Sequence, residues 1–375
     1  MSLFSQQEYL RYSRHIQLAQ FGAAGQMRLK QARVLIVGCG GLGAPVALYL
    51  AGAGVGHISL VDADQVSITN LHRQIGFSES DIGRNKAQAL AKRLRALNSD
   101  VDIQAITAML CNENAQALIE DKQLIIDCSD RFEVRCLINQ HCLASKTSWI
   151  YASAAQYSGQ LALFVPGGPC YRCLFPEAPQ NAMDCNAAGV LGTVPGILGT
   201  LQADQSLHYL AGQHQTASHV TMVETAPLQV QQLAIARRPD CNACGATSPH
   251  RHSTAKIQSE LPMCNASTAL ASEFNPQLEL TQEQLRAHRE REPVFMLDVR
   301  SEEEHSAFNL GGLNIPLHQI GGKLDQVKQQ ASASIVVCYC QSGARSLDAA
   351  IALRAAGVEA LSLAGGIQQL LESQH

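Results

Sequence analysis

The sequence has no long apolar run, no excess of basic charge and no signal-peptide pattern at its start, and each absence removes a class of function. Its longest apolar stretches, such as Ala32–Val37 and Gly196–Leu201, fall far short of the ~20 residues that a membrane helix needs. No membrane partner is expected. The opening MSLFSQQEYLRYSRH lacks the apolar core and cleavage site of a secretory leader, so the cytoplasm is the expected setting. Lys and Arg number 28 against 32 Asp and Glu, for a net charge of −4. No basic field collects phosphates, and no nucleic-acid partner is expected. A GxxxxGK[ST] run is also missing, which argues against β,γ-bond hydrolysis of the motor or switch type.

What remains is an ordinary globular composition, with 46% hydrophobic and 16% charged residues over 375 positions, enough for two or three domains. The 13 cysteines are odd in number, widely spread and partly grouped as Cys-x-x-Cys, a pattern of metal or thiol chemistry rather than of a disulfide framework. From Ala32 onward, short β-branched runs (32–38, 57–62, 102–107, 124–129, 149–154) alternate with helical stretches such as 83–97. That alternation predicts a parallel α/β sheet. After Ala155 a run at 160–166, a helix over about 196–211 and the alternating pair VTMVETA and LQVQQLAIA predict an antiparallel extension. Residues 249–276 carry Ser, Thr, Ala and Pro without periodicity and read as a linker. A second, smaller α/β pattern follows, with strands at 294–299, 334–340 and 360–364 and a helix from Ser346 to about Ala356. The halves share no internal repeat.

GCGGLG at 38–43 follows a strand and opens a helix, setting Gly38, Gly40 and Gly43 in G-x-G-x-x-G spacing. Glycine there lets the backbone turn tightly and approach phosphates, while the helix N-terminus supplies N–H donors. Asp62 ends the next strand, where a carboxylate can accept hydrogen bonds from a ribose. These features define a nucleotide site without choosing between NAD and ATP. Asn70 and Arg73 in SITNLHRQ and Lys86 at a helix start tip the choice to ATP, because a triphosphate needs several cations or a metal at its outer phosphates.

With these motifs in place, the segment from LRYSRH at 10–15 through VLIVGCGGLG, SITNLHRQ and DCSD at 127–130 to the cysteine pairs resembles the ubiquitin-activating superfamily, in its bacterial sulfur-carrier-activating branch, the MoeB and ThiF proteins. The resemblance covers about 1–248. It implies that Gly41, Asp62, Asn70, Arg73 and Lys86 bind ATP, that Asp130 holds Mg2+, and that Arg14 reaches into the partner subunit's site of a homodimer. The family usually has Asp-Asn where this chain reads Asp130-Arg131. In such a site a terminal carboxylate attacks the α-phosphate, pyrophosphate leaves and an acyl-adenylate remains.

CYRC and CNAC supply Cys170, Cys173, Cys241 and Cys244, four thiolates able to form a closed tetrahedral zinc site that staples the extension's two ends. Cys185 belongs to neither pair. It lies among small residues in a Gly-rich segment, and the family resemblance places an acyl-accepting or resolving thiol there. Cys39, Cys111, Cys128, Cys136, Cys142 and Cys338 fall in predicted strands or helices and read as packing residues.

CQSGARS places Cys340 after a buried strand and before a helix, followed by Gln341, Ser342, Gly343, Ala344 and Arg345. Such a loop is an anion cradle that favours a thiolate. Phosphatases of this shape need Cys-x5-Arg. Four residues separate Cys340 from Arg345, so the smaller loop suits persulfide sulfur transfer. With MLDVRSEEE, GGLNIPL and AGGIQQL, the segment resembles a single rhodanese domain, in which Asp298 and Arg300 fix the fold as an ion pair.

The expected fold is therefore α/β throughout: a Rossmann-like ATP-binding domain with an antiparallel extension and structural zinc (1–248), a linker (249–276) and a small α/β rhodanese domain (277–375). An adenylating domain fused to a persulfide domain implies a thiocarboxylate product. The expected substrate is a small ubiquitin-like sulfur-carrier protein ending in Gly-Gly, the donor a persulfide or thiosulfate, and the pathway of molybdopterin, thiamin or thiolation type. Two alternatives stand at this point: an NAD-dependent oxidoreductase with a fused rhodanese, and a non-catalytic scaffold that docks a ubiquitin-like protein.

Overall fold

Strands buried on both faces need apolar side chains at every position rather than at alternate ones. RVLIV at 33–37 and LIID at 124–127 have that character, and in a computed structural model of the chain they pair in parallel at the middle of an eight-stranded sheet. The structure describes residues 3–177, 189–213, 218–245, 275–332 and 334–372. It divides into two units, 1–267 and 268–375. Cys185 and nearly all of the predicted linker lie outside the described residues.

In chain order the first unit contains α1 (Gln6–Ile16), α2 (Gly22–Gln31), β1 (Arg33–Val37), α3 (Gly43–Ala53), β2 (His57–Val61), α4 (Lys86–Leu97), β3 (Asp102–Ile106), α5 (Asn112–Ile119), β4 (Leu124–Asp127), α6 (Phe132–Ser145), β5 (Ser148–Ala155), β6 (Ser158–Phe164), α7 (Tyr171–Leu174), α8 (Thr193–Leu210), β7 (His219–Thr225) and β8 (Leu228–Ala234). The sheet order is β3-β2-β1-β4-β5-β6-β7-β8. Its first five strands are parallel and its last three extend it antiparallel, as the sequence predicted. Because successive side chains of a strand point to opposite faces, Val34 and Ile36 of β1 enter one core with Leu50, Leu90 and Leu198, while Leu35 and Val37 enter the other with Ile138, Trp149 and Tyr171. α3 is apolar on almost every side, as a helix enclosed between the sheet and α8 must be. Gly54, with φ of +82°, ends it in the left-handed conformation that a side chain disfavours.

The second unit contains β9 (Glu279–Leu280), α9 (Gln282–Arg291), β10 (Val294–Asp298), α10 (Glu302–Ala307), β11 (Leu313–Asn314), α11 (Leu324–Ala331), β12 (Ile335–Tyr339), α12 (Ala344–Ala355), β13 (Ala360–Leu363) and α13 (Gly366–Glu372). All five strands are parallel, in the order β11-β10-β12-β13-β9. Val336 and Cys338 of β12 face one core with Leu297 and Leu353; Val337 and Tyr339 face the other with Leu280 and Leu363. No helix among the described residues is long and apolar enough to cross a membrane.

Candidate active sites

In open parallel sheets, ligands bind beyond the carboxyl ends of the strands where the strand order reverses. Here that point lies between β1 and β4. Gly38 follows β1 with φ of +92°, and a Cβ there would lie 2.8 Å from the carbonyl oxygen of Cys128, just after β4. A Cβ on Gly43 would overlap the Gly38 carbonyl oxygen. Asp62 braces the turn: its Oδ2 accepts the Cys39 N–H at 2.7 Å and its Oδ1 the Asp64 N–H at 2.8 Å. Burial pushes the Asp62 carboxyl up, and the Lys86 charge opposes that rise.

The segment that carries Asn70 and Arg73 closes over the same loop. Asn70 Oδ1 accepts from Arg73 and from Gln74 Nε2, both at 3.1 Å, and Arg73 also donates to the Thr69 carbonyl at 3.0 Å. A Cβ on Gly40 would stand 3.3 Å from Gln74 Nε2, and one on Gly41 3.1 Å from Pro195 and 3.2 Å from the Arg73 carbonyl oxygen. The glycines are thus small toward protein as well as toward ligand. Gln74 and Pro195 escaped the sequence reading, because nothing in their spacing shows that they meet the loop. Lys86 is buried, with Nζ 2.9 Å from the exposed carboxylate of Asp64, a partner the sequence also did not reveal.

Asp130 is exposed at the end of the β4 turn. Arg14 is exposed in the last turn of α1 and makes no hydrogen bond or ion pair among the described residues. The structure therefore groups Gly38, Gly40, Gly41, Gly43, Asp62, Asn70, Arg73 and Lys86, sets Asp130 on the adjoining turn, and leaves Arg14 unassigned within one chain. Arg131, at the position where an amide was expected, donates to Met109 Sδ at 3.2 Å. Behind the turn, buried Asp127 faces Arg135 Nε at 3.4 Å, and Arg135 also donates to the Ser129 carbonyl at 2.9 Å and lies over the Tyr151 ring. Burial raises the Asp127 carboxyl to about 6 despite the opposing Arg135 charge.

The two cysteine pairs converge. Cys170, Cys173, Cys241 and Cys244 are all buried, with their sulfurs within 4.8 Å of one another. Cys170 and Cys173 lie 3.9 Å apart, Cys170 and Cys241 3.7 Å, and Cys173 and Cys244 3.5 Å. Four sulfurs at the usual zinc distance of about 2.3 Å would be about 3.8 Å apart at the corners of a tetrahedron, so the donor set and its size fit zinc. Cys39, Cys128, Cys142 and Cys338 are buried free thiols that pack as expected, although Cys39 and Cys128 sit just past β1 and β4 rather than in a strand or helix, and Cys136 is half-buried. Cys111 is buried but disulfide-bonded, which corrects its reading as a simple packing residue.

In the second unit Cys340 is fully buried, and its Sγ accepts the Gly343 N–H at 3.2 Å and the Ser346 hydroxyl at 3.5 Å. Ser346 is itself linked to Ser362 at 2.8 Å. Gly343 takes φ of +97° to fold the loop back, and a Cβ on Gly366 would strike the Cys340 carbonyl oxygen. The AGGIQQL segment therefore buttresses the loop. Ile367 and Gln368 donate to the carbonyls of Cys340 and Gln341 at 2.9 and 3.0 Å. Gln341, Ser342 and Ala344 are exposed at the rim. Arg345 holds Glu304 through two hydrogen bonds of 2.7 and 2.8 Å. Asp298 and Arg300 form the expected buried pair, at 2.6 Å, with His305 on the same carboxylate.

Fold and sites together define a nucleotide-binding α/β unit carried on one chain with a small thiol-loop α/β unit. The ThiF family model matches residues 12–243 and the rhodanese-like domain model residues 281–373. The chain belongs to the ThiF family and carries a rhodanese-like domain. It is 37% identical over 330 residues to the adenylyltransferase and sulfurtransferase MOCS3 of Xenopus laevis, covering 84% of this chain and 72% of that one. Against the same-named protein of Anopheles gambiae it is 40% identical over 242 residues, and the match spans just over half, 55%, of that relative's length. The sulfur carrier protein ThiS adenylyltransferase of Escherichia coli (strain K12) is 40% identical over 243 residues, 64% of this chain and 97% of that one. Among solved structures, E. coli MccB with ATP superposes with a TM-score of 0.55 at 27% identity, over 63% of this chain and 74% of that one.

Proposed function

We propose that this chain adenylates the C-terminal glycine of a ubiquitin-like sulfur-carrier protein ending in Gly-Gly and then delivers sulfur to give a thiocarboxylate. What carries this reading is the coexistence in one chain of a glycine loop closed over by Asn70 and Arg73 and a cysteine cradled by N–H and O–H donors. The domains divide as 1–248, 249–276 and 277–375, and the protein acts in the cytoplasm as a homodimer.

The loop from Gly38 to Gly43 holds the phosphates of ATP on its N–H groups and on the start of α3, and Asp62 holds the ribose. Arg73 and Lys86 neutralise phosphate charge, Lys86 exchanging Asp64 for the nucleotide. Arg14 from the partner subunit adds a further cation. Mg2+ prefers a carboxylate or two plus phosphates and water; Asp130, an exposed carboxylate on the turn beside the loop, fits it and would hold it. The ion would neutralise charge on the leaving pyrophosphate. The carrier's carboxylate attacks the α-phosphorus, the bond to the pyrophosphate oxygen breaks, and an acyl-adenylate remains. Cys170, Cys173, Cys241 and Cys244 would hold zinc as a structural staple.

Cys340 accepts a sulfur atom from a persulfide or thiosulfate. The terminal sulfur of its persulfide attacks the acyl carbon, AMP leaves, and an acyl disulfide forms. The Cys185 thiol then attacks the Cys340 sulfur, releasing the thiocarboxylate and leaving a Cys185–Cys340 disulfide that an external thiol reduces. A dinucleotide, with only two phosphate charges to neutralise, would leave Arg73, Lys86 and Arg14 unexplained.

The test is the intact mass of a Gly-Gly-ending carrier after incubation with the protein, Mg-ATP and a sulfur donor. Exchange of one oxygen for sulfur is expected. Cys340→Ala should abolish that exchange while ATP–pyrophosphate exchange continues; loss of both activities would overturn the division of labour.

A further inference from the structure

Cys340 can take sulfur from two chemically different donors. A small dianion such as thiosulfate has to be drawn to the loop by positive charge, whereas a thiol persulfide carries at most one negative charge, and none in the protonated form whose outer sulfur a thiolate attacks. Arg345 is the only charged side chain between Cys340 and Ser346, and it does not stand free. Its two terminal nitrogens lie 2.7 and 2.8 Å from the two carboxylate oxygens of Glu304, in a fork-to-fork pair whose members are both 34% exposed. Such bidentate pairs are the strong ones, because both N–H bonds are charge-assisted and geometrically matched.

Glu304 is fixed for this role by its place on α10. It is the third residue of the helix, its N–H donates to the Ser301 hydroxyl at 3.2 Å, and its own Oε2 accepts the Ser301 N–H at 3.1 Å. The pairing with Arg345 holds the Glu304 carboxyl below the usual range, so it stays ionised. Glu302 and Glu303 precede it on the same helix turn. Arg300, a second cation close to Glu304, is buried on Asp298, and the neighbouring His305 lies on the same carboxylate at 2.9 Å. The rim of the sulfur loop therefore carries no uncompensated positive charge among these groups.

We propose that Glu304 is a specificity-determining residue: by occupying Arg345 it withholds the loop's cation from small sulfur-donating anions and reserves Cys340 for thiol persulfides. This deepens the reading of Cys340 as the sulfur-accepting thiol and rests on it. In the favoured transfer the Cys340 thiolate attacks the outer sulfur of the donor persulfide; a new S–S bond forms at Cys340, the donor's S–S bond breaks, and the donor leaves as a thiolate. With thiosulfate the same attack expels sulfite. Neither route needs an oxidant.

The experiment loads the full-length protein with cysteine persulfide or with thiosulfate, and follows the gain of one sulfur at Cys340 by intact mass against donor concentration. Glu304→Gln is the informative variant, because glutamine at the third helical position keeps the capping hydrogen bonds. Freeing one positive charge at the rim should raise the ratio of thiosulfate to persulfide loading efficiency about ten-fold, mainly through the half-saturating thiosulfate concentration. Adding Arg345→Gln to Glu304→Gln should erase that gain. A wild-type protein that already uses thiosulfate as efficiently as persulfide, an unchanged ratio in Glu304→Gln, or a gain that survives in the double variant would each overturn the role of Glu304. Failure of both donors to load Cys340 in the wild type would instead overturn the sulfur-accepting reading itself.

Discussion

Replacing Gly38 by alanine tests the glycine loop at its tightest point. Two costs follow from the structure. The residue sits at φ of +92°, where an L side chain is strained, and its new Cβ would stand 2.8 Å from the Cys128 carbonyl oxygen and 3.0 Å from the carbonyl carbon. The backbone strain is worth about 1–2 kcal/mol and the contact with rigid backbone at least about 1 kcal/mol more. A total of about 3 kcal/mol in a unit of this size lowers its melting temperature by roughly 6–12 °C. Gly196→Ala is the matched control. Gly196 lies inside α8 with nothing within 4 Å of an added Cβ, so there alanine should stabilise by about 1 kcal/mol through helix propensity. The assay is thermal unfolding of the whole protein, with the transition of the first unit identified as the one that Mg-ATP raises. Gly38→Ala should melt lower and lose most of its ATP-dependent shift, because the loop must move off β4 to relieve the contact. A Gly38→Ala protein that melts within about 2 °C of wild type and keeps its full ATP shift would refute the reasoning.

Three further outcomes are expected. One zinc per chain should be found by metal analysis, and Cys173→Ser should lose it and lower the melting temperature of the first unit; a metal-free wild type of undiminished stability would contradict the tetrahedral reading of the sulfur spacings. Asp127, raised to about 6 by burial, binds its proton more tightly folded than unfolded, so on its own it adds roughly 3 kcal/mol of stability as pH falls from about 6 to about 4. Asp127→Asn should remove that component of the stability slope over the same window, and an unaltered slope in urea unfolding would show that Asp127 does not titrate there. Ser346→Ala removes the hydroxyl donated to Cys340 Sγ at 3.5 Å and should slow alkylation of Cys340 by iodoacetamide several-fold near neutral pH; equal rates across pH would assign Ser346 to the Gly343 carbonyl, which it also contacts at 2.9 Å.

The sheet centres were legible because a strand buried on both faces writes itself as an unbroken apolar run, as at β1, β4 and β12. The antiparallel pair of β7 and β8 was legible from its alternation. β9 and β11, two residues each, have no period to read and exist only because the sheet beside them offers a ladder. The site divides in the same way. Gly38, Gly43, Asp62 and the four metal-type cysteines announce themselves by spacing within a local motif. Gln74 against Gly40, Pro195 against Gly41, Asp64 on Lys86 and Glu304 on Arg345 are meetings of distant segments, or of neighbours whose direction the chain does not encode. Lys86 and Arg345 were read as cations for a ligand, and the structure shows that each already holds a carboxylate. Any anion that binds there has to compete with it.

Cys39 and Cys340 show how one local plan yields opposite chemistry. Each closely follows an apolar strand paired in parallel on both sides, each is fully buried, and each shares its loop with a glycine at positive φ. The order of the two residues differs. Gly38 precedes Cys39, so the turn is complete before the thiol is reached: the Cys39 N–H is spent on Asp62, and burial, with that carboxylate close by, pushes the thiol well above its ordinary range. The thiol is left protonated, and the loop's remaining N–H groups and the start of α3 lie at the switch point of the sheet. Gly343 comes three residues after Cys340, so the turn closes behind the sulfur and returns an N–H and a hydroxyl to it. The sulfur is thus met by polar hydrogens at the start of α12. In these two loops the side on which the glycine falls decides whether the polar hydrogens of the turn reach the thiol, as at Cys340, or are spent elsewhere, as at Cys39.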